Sequence, residues 1–262
     1  VFLRTLKIRL VYQINFNDVQ HNSPSWEDLC TLPNYDDIEY IDYYVGTLKS
    51  LPPLPKKLKE LTCSTGKLKQ LPPLPDTLIL LSVTDNHLQS LPPLPDTLRT
   101  LNVNDNKIEV LPFLNKLNRV MCRNNLLTEF PTMPPSLECV YCDNNKITRF
   151  NRFSPKLVIL TCSGNELSTL SGFSSSLCEL YCGDNPLLEL IQLSNSSKEC
   201  ILVNCFDCNT IIKTKNAFAC YNSETKDNYF SINNCLVCNK KSIRYNYNTI
   251  TCINCDIIQK LD

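Results

Sequence analysis

The chain has 262 residues, 43% of them hydrophobic, which is enough to bury a core and excludes both a disordered chain and a disulfide-stapled mini-protein. Its 26 Lys and Arg balance 26 Asp and Glu, so it lacks the basic excess that non-specific binding to nucleic acid or an anionic membrane requires. No stretch reaches the roughly 18 apolar residues of a membrane span. Sixteen cysteines stand beside five glycines and two alanines, Ala217 and Ala219. The segment before residue 38 shows neither an apolar leader nor a small-residue cleavage site, so a soluble protein of a reducing compartment, the cytoplasm, is expected. Val1 in place of a methionine is expected of a fragment or a processed form.

From the N-terminus, Leu6, Ile8, Leu10, Tyr12, Ile14 and Phe16 alternate with more polar partners, the period of a half-buried strand. Ser23-Pro24-Ser25-Trp26-Glu27 has the capping serine and early proline of a helix start. Together these predict an N-terminal cap over residues 1–37. Leu29 and Leu32-Pro33 sit where the last turn of a preceding repeat would place them, so the cap runs straight into the first full unit.

From residue 38 the sequence matches itself at a spacing of 20 residues. Eight units begin at Ile38, Leu58, Leu78, Leu98, Leu117, Leu137, Leu157 and Leu177, with a step of 19 only between Leu98 and Leu117. Each follows L-x-x-L-x-(C/V)-x-x-N-x-L-x-x-L-P-x-L-P, most cleanly in the unit from Leu78 through Asn86 and Leu91 to Thr97. Positions four and six, such as Leu81 and Val83 or Leu160 and Cys162, alternate with polar neighbours as the inward face of a strand does. Position nine holds Asn86, Asn106, Asn125, Asn145, Asn165 and Asn185, whose amides can pair with backbone where the chain leaves the strand. The doublets Leu51-Pro52, Leu71-Pro72, Leu91-Pro92 and Leu111-Pro112 remove backbone donors and disfavour helix, which predicts an extended return path. One unit cannot bury its own apolar side, so the core must come from stacking. Asn151, Ser171 and Ile191 replace the prolines of later units, the pattern expected of a stack fading toward a C-terminal cap.

The cysteines form two populations. Cys63, Cys122, Cys142, Cys162 and Cys182 occupy strand position six, where Val83 and Val103 stand in other units, and are read as small core residues. Cys139 and Cys142 imitate a C-x-x-C pair, but residues three apart on a strand point to opposite faces and cannot chelate one ion.

This repeat is a leucine-rich repeat. Its L-P-x-L-P return and 20-residue length resemble the short leucine-rich repeats of secreted bacterial effectors. The cysteine at strand position six and the scarcity of alanine are similar to leucine-rich-repeat proteins of giant amoeba-infecting viruses. The resemblance spans residues 38–193 and implies a right-handed solenoid with a parallel concave sheet and an extended, polyproline-like convex side. Bacterial effectors of this class often carry a ubiquitin-ligase domain after the repeats. Residues 194–262 are too few for that domain, so the activity is not carried over.

The tail, 194–262, carries Cys205-x2-Cys208, Cys220, Cys235-x2-Cys238 and Cys252-x2-Cys255, with Cys200 nearby and no histidine. Asn204-Cys205-Phe206-Asp207-Cys208-Asn209 recurs 30 residues on as Asn234-Cys235-Leu236-Val237-Cys238-Asn239, and a two-residue insertion then aligns Cys220 with Cys252. Two C-x2-C turns supply the four thiolates that Zn2+ prefers, so Cys235, Cys238, Cys252 and Cys255 are read as one zinc site in a duplicated zinc-knuckle pair. Cys200, Cys205, Cys208 and Cys220 form the weaker copy. Disulfides or unligated thiols are the competing reading. A RING arrangement would need a further ligand shortly before Cys235, where Phe230, Ser231, Ile232, Asn233 and Asn234 stand. For catalysis the sequence offers isolated His21 and His87, no Gly-rich phosphate loop, and a Cys205-x-Asp207 pair that the metal pattern explains better, so no enzyme is expected.

What remains is a surface. The outward strand positions, three, five and seven, run through Tyr40, Asp42, Tyr44, Glu60, Thr62, Ser82, Thr84, Asn102 and Asn104 to Arg119, Met121, Arg123, Tyr141, Thr161 and Tyr181. Tyr, Arg and Met are enriched at binding hot spots, and these last six are the candidate partner-binding residues. The expected function is an intracellular protein-protein interaction module, its partner a host protein if the viral resemblance holds. The competing class is an adaptor or ligase subunit in which the repeats select a substrate and a zinc tail recruits machinery.

Overall fold

The computed structural model describes the backbone of residues 10–12, 30–44, 49–188, 190–192, 201–204, 210–213, 218–221, 229–232, 242–246, 249–252 and 257–260, and the side chains of 30–42 and 49–188. The chain divides into two compact units, Val1–Leu126 and Leu127–Asp262.

The first unit is a ladder of short parallel strands: β1 (Leu10–Tyr12), β2 (Tyr40–Tyr44), β3 (Glu60–Ser64), β4 (Leu80–Ser82), β5 (Thr100–Asn102) and β6 (Arg119–Met121). Position four is in register throughout, Ile41 opposite Leu61, Leu81, Leu101 and Val120 in turn. A step of 20 residues, or 19 from Leu101 to Val120, brings each of these side chains to the same height, so burial is cumulative along the stack. Leu61, Leu81, Leu101 and Val120 are fully buried, as are Leu58, Leu78 and Leu117 at position one. The predicted N-terminal strand appears as β1, in the parallel sense of the repeats. The helix start at 23–27 lies outside the described residues. A 3-10 turn at Tyr35–Asp37 leads into β2.

Two local devices repeat in every turn. The residue before the ladder asparagine takes a left-handed conformation, at Asp85, Asp105 and Asn124 in the first unit and Asn144, Gly164 and Asp184 in the second. That conformation is cheapest for Gly, Asn and Asp, the types at these six positions; Thr65 takes it too, in the unit where Gly66 replaces the ladder asparagine. The return segment ends in a tight turn closed by Leu78 N–H on Pro75 O, Leu98 N–H on Pro95 O and Leu117 N–H on Leu114 O, at 3.0–3.1 Å. Exposed ion pairs Lys56–Asp36 and Lys57–Asp37, both 2.7 Å, link neighbouring turns outside the core. The Lys56 amine hydrogen bond holds the Asp36 carboxyl below its usual range, but pairs this exposed add little.

In the second unit, β7 (Cys139–Tyr141), β8 (Ile159–Thr161) and β10 (Glu179–Tyr181) continue the pattern, with Val140, Leu160 and Leu180 aligned and fully buried. The parallel ladder runs on through β12 (Ile201–Asn204) and β14 (Phe218–Tyr221), then turns antiparallel at β15 (Tyr229–Ile232). On the return side a second sheet appears: β9 (Thr169–Ser171), β11 (Leu190–Gln192) and β13 (Thr210–Lys213) pair in parallel, and β16 (Ser242–Asn246), β17 (Thr249–Cys252) and β18 (Ile257–Lys260) follow antiparallel.

The missing prolines therefore mark a change of pairing rather than a fading stack. Ser171 and Ile191 carry backbone N–H groups that Pro52, Pro72 and Pro92 lack, and a segment with its donors restored can join a ladder. Side-chain packing changes with it. Phe130, Phe150, Phe153 and Phe173 form a continuous run with ring centroids 5.7, 5.2 and 4.4 Å apart, filling the return side of this unit.

Candidate functional site

The strand faces are held rigid from behind by the asparagines. Asn106 Oδ1 accepts the Leu88 N–H at 3.0 Å, while its Nδ2 donates to the carbonyls of Val83 (2.8 Å), Val103 (3.2 Å) and Asn104 (3.0 Å). Asn125 makes the same set to Ile108, Val103, Cys122 and Arg123. In the second unit Asn165 and Asn185 repeat it, Asn165 to Ile147, Cys142, Cys162 and Ser163, and Asn185 to Leu167, Cys162, Cys182 and Gly183. Each amide thus ties its own turn to the preceding one and satisfies backbone groups that burial would otherwise orphan. The predicted asparagine ladder is present in this form.

The cysteines of position six are core. Cys122, Cys142, Cys162 and Cys182 are fully buried and Cys63 nearly so. Burial, with a smaller contribution from the Asp42 charge, pushes the Cys63 thiol up to about 12. Cys139 is half-buried on the opposite strand face from Cys142, as the spacing requires. A thiol raised in this way stays protonated, so the stability of its neutral form is complete below its ordinary value of 9.0 and is lost as pH rises from there toward 12. Iodoacetamide at pH 8 is accordingly expected to alkylate exposed Cys30 within minutes, and to leave Cys63, Cys122, Cys142, Cys162 and Cys182 unmodified until denaturant is added. Mass spectrometry of the labelled peptides reads the result, and rapid native labelling of Cys142 would contradict the packing.

On the outward face of the first unit, Arg119 is exposed and Met121 half-buried on β6, with Arg123 half-buried just beyond. Asn104 Oδ1 accepts the Arg123 backbone N–H at 2.8 Å, and the Thr84 hydroxyl donates to Ser64 Oγ at 3.0 Å. On the second unit, Tyr141 and Tyr181 are half-buried on β7 and β10. Thr161, between them on β8, is buried, and its hydroxyl donates to Asp143 Oδ2 at 2.6 Å while the Ser163 N–H donates to Asp143 Oδ1 at 2.9 Å. Thr161 is therefore the floor of this face rather than a projecting contact. Asp143 and Asn104, which organise the two faces, went unread as site residues. Position seven is the signal that would have found Asp143.

Of the cysteines assigned to zinc, Cys200, Cys205, Cys208, Cys235, Cys238 and Cys255 lie outside the described residues. The backbone places Cys220 in β14 and Cys252 in β17, on different sheets. Among the described residues no cluster of three or more His, Cys, Asp or Glu is arranged to hold a metal ion, and no helix is long and apolar enough to cross a membrane.

No family model and no curated protein matches the sequence. Among solved structures, YopM from Yersinia enterocolitica WA-314 aligns with TM-score 0.59 and 27% identity over 71% of this chain and 47% of that one. YopM described as a leucine-rich effector protein from Yersinia pestis aligns with TM-score 0.56 and 31% identity over 62% and 53%. A leucine-rich-repeat protein of Leptospira interrogans, at TM-score 0.51 and 21% identity over 67% and 50%, shares the fold. The chain spans about half the length of each of these proteins. Stacked parallel strands, the 20-residue step, the asparagine ladder and these likenesses agree: the parallel-stranded part of the chain is a leucine-rich-repeat stack whose short repeats match those of the bacterial-effector type.

Proposed function

We propose that the protein is an interaction module that binds a protein partner on the outward face of its strands, through Arg119, Met121 and Arg123 in the first unit and Tyr141 and Tyr181 in the second. The observation that carries this is the placing of hot-spot residue types, exposed or half-buried, on backbone pinned by the buried asparagines. Rigid presentation limits the ordering cost of association. Likeness to a protein described as a leucine-rich effector supports the same reading. With a partner found inside a cell, the compartment is the reducing cytoplasm, which core thiols not joined as disulfides suit.

Capture from a cytosolic lysate tests it, with wild type and an Arg123→Ala, Tyr141→Ala variant as bait. A protein retained by wild type and lost by the variant, whose far-ultraviolet circular dichroism is unchanged, is the expected result. If every retained protein survives the double substitution, the strand face is not the binding surface.

For the tail, the spacing of Cys235, Cys238, Cys252 and Cys255 supports a zinc site, with Cys200, Cys205, Cys208 and Cys220 as the ligands of a second. Protein purified under reducing conditions is expected to carry about one zinc per chain, or about two if both sets are loaded. Cys252→Ser should lower the count by about one, and core Cys162→Ser should leave it unchanged. Elemental analysis decides: zinc-free protein, or tail cysteines paired as disulfides, refutes the metal reading.

A further inference from the structure

We propose that the return side of the first unit is a self-association surface, on which two copies of the chain meet with Phe113 of each against the proline row of the other. The inference is independent of the strand-face reading above. Successive return segments lie side by side, because hydrogen bonds join them at both ends. The His87 N–H donates to Leu68 O and the Lys107 N–H to Leu88 O, both at 2.9 Å. At the far end the Thr97 hydroxyl donates to Asp76 O at 2.7 Å, and Asn115 Nδ2 donates to Leu94 O at 2.6 Å. Position 16 of each segment is exposed, and it holds Pro53, Pro73 and Pro93 before Phe113. Leu111 and Leu114 fill the core of this last turn, so Val110 and Phe113 face outward, each 71% exposed. Among the described residues no large apolar side chain is more open to water.

Charge selects a second copy as the occupant. Position 12 reads Lys69, Gln89, Glu109 along three successive turns, and position 19 reads Asp76, Asp96, Lys116, all of them exposed. Each row changes sign from one end to the other, so a partner of one uniform charge is repelled at one end of each row. A two-fold axis along the middle segment reverses the order of the turns and keeps the position within the turn. It sets Lys69 opposite Glu109 of the second copy, Asp76 opposite Lys116 of the second copy, and Phe113 opposite Pro73 of the second copy, each pairing occurring twice. Of these charges only Asp96 meets its own kind, and the Lys116 amine of the same chain, 3.7 Å away, offsets that. A segment of about eight extended residues is at most about 25 Å long, and three side by side are about 15 Å wide. That is about 400 Å² per copy, half of the roughly 800 Å² of a standard interface, so the dimer is weak and depends on concentration.

Analytical ultracentrifugation of the full chain tests the surface. A reversible monomer–dimer equilibrium is expected, with a dissociation constant on the order of 100 µM. Phe113→Ser alters an exposed position and should weaken the dimer about tenfold, whereas Phe113→Leu should keep most of it. Lys69→Glu and Glu109→Lys should each weaken it about tenfold, because each turns two attractions into repulsions. Mixed in equal amounts, these two variants should pair with each other about as well as wild type pairs with itself, since each carries the charge that the altered position of the other now needs. A fluorescent label on one of them reads that pairing directly. A chain that stays monomeric up to about 500 µM, a dimer undiminished by Phe113→Ser, or a mixture that associates no better than its two components overturns the proposal. The strand-face reading is tested apart from it, because Arg123→Ala with Tyr141→Ala should leave the dimer unchanged.

Discussion

Asn106→Ala is expected to destabilise the stack by about 3 kcal/mol or more, from orphaned backbone groups that each cost about 1–3 kcal/mol when buried. The amide is 8% exposed and makes four hydrogen bonds, one from the Leu88 N–H and three to the carbonyls of Val83, Val103 and Asn104. Alanine replaces none of them, and the groups left behind belong to two successive turns. Water cannot follow easily, because Leu88, Val83 and Val103 are themselves fully buried. Urea unfolding followed by far-ultraviolet circular dichroism measures the loss, with Lys69→Ala on the exposed surface as a control expected to stay within about 0.5 kcal/mol. A loss below about 1 kcal/mol would mean that the ladder is decoration rather than the bond between turns.

Phe153→Ala should cost about 3–5 kcal/mol, the range for deleting a buried aromatic ring. Phe153 is 7% exposed and touches two others, Phe150 at a centroid distance of 5.2 Å and Phe173, stacked at 4.4 Å. The cavity would open in the middle of the aromatic run, between Phe150 of the same turn and Phe173 of the next. A double-mutant cycle with Phe173→Ala should return a coupling of about 0.5–1.5 kcal/mol for the stacked pair. Simple additivity of the two single variants would show that the rings share space without interacting.

The candidate surface was legible in part, and the reason lies in strand periodicity. Alternation identifies which residues leave the core, so Arg119, Met121, Arg123, Tyr141 and Tyr181 could be named before any geometry. It does not say which of them project. Thr161 has the same place in its unit as Tyr141, yet its short side chain sinks below its neighbours and bonds sideways to Asp143. That outcome depends on what stands one strand over, 18 residues away in the chain.

The same distinction separates the rest of the molecule. The repeat period, the inward leucines, the core cysteines and the asparagine ladder were determined by the sequence alone, because each depends on a residue's place within one unit and stacking copies it from turn to turn. The left-handed turn residues Asp85, Asp105, Asn124, Asn144, Gly164 and Asp184 belong to this class too, since their chemistry suits the conformation wherever the unit is placed. Only the tertiary structure decided the second sheet and the phenylalanine run. Losing a proline frees a donor but does not choose its acceptor. Ser171 pairs in β9 because β11, from the next turn, arrives beside it with Gln192 in register. Phe130, Phe150, Phe153 and Phe173 likewise stand at unequal spacings in the chain and meet as one column only when successive return segments lie side by side.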